Sequence, residues 1–259
     1  VYMQTDRNKN RFKRYTEAGL AVLIVLTLGL AGATGALSPR AAESGQTESA
    51  AGAEKNSKDT GSSFGSSQDA AESEDAEAQE TIANGQYPIM GSSNITVQEM
   101  VDYFNASGEV YPAEELSEGG ADSIETFCQM YYDEATAEGV RPEVAFAQTM
   151  KETGFLQYGG DASIEQFNFA GLGTTGNGVP GNSYPDVQTG IRAQIQHLKA
   201  YATADALNQE CVDDRYEYVK KGSAPYVQWL GQQENPEGLG WATGDNYGYD
   251  IVGMIEEMM

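Results

Sequence analysis

Residues 139–155 read GVRPEVAFAQTMKETGF, and this stretch predicts a helix with a defined beginning and end. Gly139 ends the preceding helix, because glycine readily takes the left-handed conformation common at helix C-termini. Pro142 suits the first turn of the next helix, where its missing N–H costs no hydrogen bond. The predicted helix ends near Gly154 and carries Glu152 in its last turn.

Helical patterns continue on both sides of this segment. Thr96 followed three residues later by Glu99 is a capping-box pattern, and Asp122 followed by Glu125 predicts the start of a second helix. On the C-terminal side the predicted helices cover 187–202, 215–220, 225–230 and 246–258.

The stretch 155–184 interrupts the helical pattern. It is rich in glycine and contains Pro180, so loops and a short β-hairpin are predicted there. Binding and catalytic residues often lie on loops held by a rigid scaffold. The predicted fold is therefore mainly α, with a small loop/β-hairpin lobe directly after Glu152.

The first 37 residues have the composition of a membrane-targeting segment. Residues 1–17 form a basic head, and 18–37 are uncharged and mostly apolar. Twenty helical residues span about 30 Å, the thickness of the hydrocarbon core of a bilayer. A transmembrane anchor and a cleaved signal peptide both fit this segment, with the basic head on the cytoplasmic side. The rest of the chain is expected outside the cytoplasm, attached to the membrane in the first case and secreted in the second.

Residues 38–95 are predicted to be a disordered acidic linker. They are rich in Ser, Gly, Ala, Glu and Asp, and three basic residues (Arg40, Lys55 and Lys58) face ten acidic ones. Such a segment buries too little apolar surface to offset the entropy lost on ordering, and its like charges keep it extended. The remaining residues, 96–259, are enough for one globular domain.

The charge of the chain limits its partners. The chain has 39 acidic and 15 basic residues, a net charge of −24, and most of the acidic residues lie in 96–259. Binding to phosphate groups requires clustered Lys and Arg, so nucleic acid is not an expected partner. The domain is expected to be a monomer that binds its ligand by shape and hydrogen bonds.

The scarcity of histidine narrows the possible chemistry. Zinc sites of amidases and peptidases take two or three imidazole ligands, and His197 is the only histidine, so neither a metal nor another cofactor is expected. Cys128 lies in an apolar helical stripe and His197 is expected to be exposed, which argues against a catalytic pair of the two. A disulfide between Cys128 and Cys211 is possible but cannot be deduced from the sequence.

Carboxylates are the remaining candidates for catalysis. Glycoside hydrolysis requires one carboxyl group that stays protonated and donates to the leaving oxygen. Glu152 lies beside Phe146, Phe155 and Leu156, where desolvation would raise its pKa. Position alone does not distinguish Glu152 from the many other acidic residues.

Four segments in order carry a resemblance to a known family. They are VAFAQTMKETGF at 144–155, NFAGL at 168–172, YPDV at 184–187 leading into the helix through 198, and WATGDNY at 241–247. Together they resemble the glucosaminidase domain of glycoside hydrolase family 73. The resemblance implies a lysozyme-like helical domain that hydrolyses the β-1,4 bond between N-acetylglucosamine and N-acetylmuramic acid in peptidoglycan, as autolysins do in cell-wall remodelling.

The resemblance also implies roles for individual residues. Glu152 matches the general acid of the family, and Tyr247 matches its site tyrosine. The segments that match the family imply five substrate-binding residues, namely Asn168, Phe169, Gly171, Tyr184 and Trp241.

A second catalytic carboxylate is less clearly marked. The acid closest to the family position is Asp186, which fits a catalytic carboxylate and a helix N-cap equally. If Asp186 or Glu165 lies roughly 6.5–9.5 Å from Glu152, an inverting mechanism with an activated water is feasible. If neither does, the 2-acetamido group of the substrate could attack the anomeric carbon, with Tyr247 polarising it.

Two other functions fit parts of the same pattern. A muramidase or a lytic transglycosylase of lysozyme-like fold also works with one Glu. A wall-binding module without turnover is the alternative outside enzymes, and the retained Glu152 argues against it.

Overall fold

The computed structural model describes residues 85–175 and 178–259. The predicted basic head, the apolar segment and residues 38–84 of the predicted linker lie outside these ranges. The described residues form six α-helices, named here α1 (Val97–Ser107), α2 (Ala113–Ser117), α3 (Ile124–Glu138), α4 (Pro142–Thr153), α5 (Val187–Ala202) and α6 (Tyr247–Met258). Short 3-10 turns occur at Ile164–Gln166, Tyr216–Tyr218 and Val227–Leu230. The mainly α prediction is confirmed for the described part of the chain.

Most helix ends follow the sequence signals. Thr96 caps α1 with a complete capping box, Gly139 ends α3 in the left-handed conformation, and Pro142 opens α4. The cap of α3 is Ser123 and not Asp122, because the Ser123 hydroxyl accepts the backbone N–H of Thr126. The two short helices predicted at 215–220 and 225–230 are 3-10 turns, and α2 was not predicted.

Helix α4 lies at the centre of the domain. It packs against α3, α5 and α6, while α6 also packs on the turn Val227–Leu230. An aromatic cluster fills the space between α3, α4 and the loop lobe, with Phe127 at 5.1 Å from Phe169 and Tyr131 at 5.8 Å from Phe146 between ring centroids. Edge-to-face pairs of this kind add about 0.5–1.5 kcal/mol each to the hydrophobic burial.

The folded domain begins earlier than the predicted linker boundary at residue 95. Ile89 is completely buried, its N–H donates to the carbonyl of Pro225, and its carbonyl accepts from the N–H of Arg141. Ile95 is buried as well. The end of the predicted linker is therefore part of the domain, because its few apolar residues are buried in the core and its backbone is paired.

The predicted β-hairpin does not form in the described residues of the loop lobe, 155–175 and 178–184, where no strand is present. The lobe is held instead by Asn168, whose side-chain amide donates to the carbonyls of Leu172 (2.9 Å) and Asn182 (3.1 Å) and accepts from the N–H of Leu172 (2.9 Å). The buried amide and two backbone hydrogen bonds, from Asn182 to Leu172 (2.8 Å) and from Tyr184 to Gln166 (2.9 Å), together satisfy backbone groups of the loop.

Over 85–175 and 178–259, no helix combines the length and the apolar composition needed to cross a bilayer.

Candidate active site

Glu152 is the one residue of α4 that reaches the surface. The helix has 12 residues, and every one of them except Glu152 is buried. Glu152 itself is partly exposed. A carboxyl at this position has a low-dielectric protein environment on most sides and access to solvent on one.

The backbone turns sharply directly after Glu152. Gly154, Phe155 and Leu156 are consecutive residues in the left-handed region, with φ of 59°, 56° and 63°. The conformation costs about 1–3 kcal/mol for each residue other than glycine, so the surrounding structure must hold it. Phe155 and Leu156 are buried in the core, and the N–H of Phe155 donates to the carbonyl of Met150 at 2.9 Å. The turn ends α4 immediately after Glu152 and leaves its carboxyl at the helix end.

Tyr247, at the first position of α6, contacts Glu152 directly. Its hydroxyl donates a hydrogen bond to Oε1 of Glu152 and accepts one from Nε2 of Gln148 at 3.1 Å. Tyr247 is buried. The close approach of α6 to the preceding 3-10 turn requires Gly248, since a Cβ at this residue would collide with the carbonyl oxygen of Val227.

An ion pair fixes α4 against α6 next to this contact. Nζ of Lys151 lies 2.8 Å from Oδ2 of Asp250 and 5.6 Å from the centre of the Tyr247 ring. Lys151 is buried, whereas the Asp250 side chain is about one third exposed. Within this pair, Lys151 is the residue whose positive charge acts on the Glu152 carboxyl.

The surroundings of Glu152 raise its pKa, so that a large fraction of the carboxyl is protonated near neutral pH. Burial raises the pKa of Glu152 to about 7, while the hydrogen bond from Tyr247 and the charge of Lys151 oppose this rise. No carboxylate of the described residues is among the groups that shift it. Burial and the adjacent Glu152 raise the pKa of Tyr247 well above its usual value, so Tyr247 remains a neutral phenol that donates its proton without losing it.

Comparison with known proteins identifies the family. The family model for glucosaminidase, described as mannosyl-glycoprotein endo-beta-N-acetylglucosaminidase, matches residues 128–259, about half of the chain. The chain belongs to the glucosaminidase family. The family consists of glycoside hydrolases, and the match contains both Glu152 and Tyr247.

A relative of this glucosaminidase-family chain occurs in Borreliella burgdorferi. This uncharacterized protein is 44% identical over 104 residues, which are 40% of the chain described here and 51% of the relative. The chain thus matches about half the length of this curated relative. No solved structure matches the chain.

Three of the predicted substrate-binding side chains lie in the core of the glucosaminidase domain. Asn168 is buried and its side chain bonds to the backbone of the loop lobe. Phe169 is buried against Phe127. Trp241 is 2% exposed and stacks edge-on against His197 at 4.8 Å. These side chains have almost no surface to offer a glycan, and the role of the three residues in substrate binding stays a prediction.

The other predicted residues have mixed environments. Gly171 is buried with φ of 61°, in the turn that Asn168 holds. Tyr184 is half-buried, and its hydroxyl lies 3.4 Å from Nδ2 of Asn182. Asp186 caps α5 by accepting the N–H of Thr189 at 2.7 Å, which is the helix N-cap role that the sequence left open. Its role as a second catalytic carboxylate stays a prediction.

The environment of His197 differs from the sequence-based expectation. The imidazole is buried instead of exposed, and its Nδ1 lies 2.7 Å from Oδ2 of Asp213. Cys128 and Cys211 are both free thiols, so the possible disulfide is absent. Within the described residues, no group of three or more His, Cys, Asp or Glu side chains is arranged to hold a metal ion.

Two buried glutamines belong to the site and were not identified from the sequence. Gln148 lies one turn before Glu152 and contacts Tyr247, and Gln194 of α5 contacts Gln148 at 2.9 Å. The only signal for Gln148 was its spacing of four residues from Glu152, which places both on the same face of a helix. Nothing local to α5 indicated Gln194, since its partners are distant in sequence.

Proposed function

We propose that the domain hydrolyses the β-1,4 bond between N-acetylglucosamine and N-acetylmuramic acid in peptidoglycan, with Glu152 as the general acid. The observation that carries the proposal is the state of Glu152, a carboxyl with pKa of about 7 at the one accessible position of a buried helix. A general acid works best when its pKa lies near the operating pH. The resemblance of the four sequence segments supports the choice of bond and polymer.

The hydrogen bond from Tyr247 supports an assignment of the transferable proton to one oxygen of Glu152. Because the Tyr247 hydroxyl donates to Oε1, that oxygen acts as an acceptor and the acidic proton resides on Oε2. In the first step Oε2 gives this proton to the glycosidic oxygen as the bond to the anomeric carbon breaks. Glu152 is then an anion, which the Tyr247 hydrogen bond and the Lys151 charge stabilise.

In the mechanism that we favour, the nucleophile that attacks the anomeric carbon comes from the substrate itself. The oxygen of the 2-acetamido group attacks this carbon as the leaving group departs, which forms a cyclic intermediate on the sugar. Water then opens the intermediate, and the Glu152 carboxylate takes one proton from the water and so regains its acid form. Two observations support this path over inversion. Asp186 is engaged as the cap of α5, and no carboxylate in the described part of the chain is among the groups that shift the pKa of Glu152.

We place this activity outside the cytoplasm as part of the same proposal. The apolar residues 18–37 would serve as a membrane anchor or a signal peptide, and the acidic residues that follow would serve as a tether to the wall. The partner is then the glycan strand of peptidoglycan, met by a monomer that is attached to the membrane or released to the wall.

Mass analysis of the fragments released from purified peptidoglycan by the full chain tests the proposal. Fragments with N-acetylglucosamine at the reducing end support it. Reducing N-acetylmuramic acid would reveal a muramidase, and 1,6-anhydro ends a lytic transglycosylase; either result rejects the proposed bond. Binding to peptidoglycan without release of any fragment would show a wall-binding module and reject turnover.

A further inference from the structure

A continuous line of buried hydrogen bonds connects the backbone of α4 to Glu152. It runs from the carbonyl of Ala145 through Gln194, Gln148 and Tyr247 to the carboxyl. We infer that Gln148 and Gln194 are positioning residues that fix the direction of the hydrogen bond between Tyr247 and Glu152. The inference rests on the proposed function, because it concerns the availability of the Glu152 proton.

The carbonyl of Ala145 fixes which atoms donate and which accept along this line of hydrogen bonds. A backbone carbonyl can only accept, so the side-chain atom of Gln194 that lies 3.0 Å from it is the donor nitrogen, Nε2. The carbonyl oxygen of Gln194 then faces the opposite side, 2.8 Å from each of the hydroxyls of Tyr131 and Thr149. These two hydroxyls lie 2.6 Å apart, so their two hydrogens are shared among three contacts and at least one of them is donated to Gln194. The contact with the Ala145 carbonyl excludes the flipped amide, and the two hydroxyls, which can donate or accept, are compatible with the orientation that it sets.

The orientation of Gln194 determines that of Gln148. The second N–H of Gln194 points to a Gln148 atom at 2.9 Å, and this atom must be the oxygen, since only an oxygen accepts. The amide nitrogen of Gln148 therefore faces Tyr247 at 3.1 Å and donates to its hydroxyl oxygen. Both glutamines are completely buried, so water cannot supply an alternative partner.

The hydroxyl of Tyr247 has a single hydrogen, and its oxygen already accepts from Gln148. The hydroxyl has two hydrogen-bond partners within the described residues, and Gln148 Nε2 can only donate, so the hydrogen finds an acceptor only when it is directed to Oε1 of Glu152. With the opposite direction, protonated Glu152 would donate to Tyr247, and the proton needed by the sugar would be held in an internal hydrogen bond. The glutamines thus keep the Oε2 proton free for the glycosidic oxygen and favour the carboxylate that forms after its transfer.

Replacing the glutamines by methionine tests the inference, because methionine keeps the length of the side chain and removes the amide. In Gln148→Met we expect kcat to fall by about tenfold to a hundredfold with little change in KM, the usual result of a mispositioned catalytic group. The high-pH limb of kcat/KM should move to higher pH, since the bond that stabilises the carboxylate is no longer enforced. Gln194→Met should shift the limb in the same direction by a smaller amount, because Gln148 is still present but no longer oriented.

Gln196→Met is the matched control. Gln196 is also completely buried and lies on α5, but it bonds to Glu138, to the carbonyl of Glu210 and to the N–H of Val212. The Gln196→Met variant should lower the melting temperature without shifting the high-pH limb of kcat/KM. A Gln148→Met protein that is folded and retains the wild-type limb and kcat would overturn the inference, as would an equal shift of the limb in Gln196→Met.

A double variant separates positioning from a general loss of packing. In a Tyr247→Phe background the glutamines have no hydroxyl to orient, so adding Gln148→Met should not move the limb further. An additive shift would overturn the inference. The proposed function is judged independently by Glu152→Gln: if that variant remains active, the proposed function fails, whereas an inactive Glu152→Gln together with an unchanged Gln148→Met rejects only the role of the glutamines.

Discussion

The hydroxyl of Tyr247 donates a hydrogen bond to Oε1 of Glu152, across a separation of 95 residues in the sequence. The contact joins the last turn of α4 to the first turn of α6. It holds a carboxyl whose pKa is raised by burial beside a phenol that does not ionise. The pair is the centre of the candidate site of this glucosaminidase-family domain.

Glu152→Gln should reduce the rate of glycan hydrolysis on the order of 10²-fold or more, because an amide cannot supply the acidic proton. Circular dichroism should show the fold retained. The exposed Glu256 on α6 provides the control, since Glu256→Gln removes the same charge away from the site. Comparable rates for wild type and Glu152→Gln would exclude Glu152 as the general acid.

The pH dependence of kcat/KM should reflect the titration of Glu152 in the free enzyme. Only the protonated form donates, so the rate should fall as the pH rises through about 7, tending to tenfold per pH unit. Initial rates measured between pH 4 and 9 test this. A profile without any decline between pH 6 and 9 is incompatible with an acid of this pKa.

Tyr247→Phe should move that decline to higher pH. The hydrogen bond from Tyr247 lowers the pKa of Glu152, so its removal lets burial raise the pKa further. The maximal rate should also fall, since the anion formed in the first step loses a donor. The same pH series measures both effects, and a shift of the limb to lower pH would contradict the assigned direction of the bond.

The raised pKa of Glu152 should be detectable in the stability of the protein. In the folded state the carboxyl holds its proton up to about pH 7, whereas in the unfolded chain it loses it near 4.5. The folded state thus binds more protons between these values, and the free energy of unfolding falls as the pH rises through this window. Glu152→Gln avoids this loss and should be more stable than wild type at pH 8, by up to about 3 kcal/mol, but not at pH 4. Urea unfolding at the two pH values provides the comparison, and an equal difference at both would refute the linkage.

Trp241→Ala should act on stability and not on substrate binding. The indole is buried against His197 and Tyr201, and truncating a buried aromatic residue typically costs about 3–5 kcal/mol. Trp241→Phe should be milder, because the indole N–H finds no acceptor within the described part of the chain and its loss leaves no partner unpaired. Chemical unfolding and KM should be measured for both. A raised KM in a variant of unchanged stability would show that Trp241 contacts the glycan after all.

The local features of the fold were predictable because their signals lie close together in the chain. The capping box at Thr96, the glycine that ends α3 and the proline that opens α4 each depend on hydrogen bonds within a few residues. The range of α5 was predicted without error for the same reason, and Asp186 caps it. No hairpin forms in the described residues of the loop lobe. Glycine and proline mark turns there without specifying which backbone groups pair, and the Asn168 side chain binds some of these groups instead.

The environment of the polar residues was not predictable from local pattern. His197 was expected in solvent, but Asp213, a residue outside any predicted helix, neutralises the cost of burying its imidazole. The burial of the Trp241 and Phe169 side chains, which pack against α5 and α3, was not predictable either. The boundary of the linker was misplaced because composition over a window cannot show that Ile89 pairs with the backbone near Pro225.

By itself the sequence determined the succession of helices, the position of Glu152 at the end of the central one and the family to which the four segments point. The tertiary structure alone decided that eleven residues of that helix are buried and one is not, and that Tyr247 bonds to the acid and is itself bonded to a line of two glutamines. The physical reason is range: helix propensity and capping act within one or two turns, whereas desolvation and a hydrogen bond to a distant partner exist only once the helices have packed.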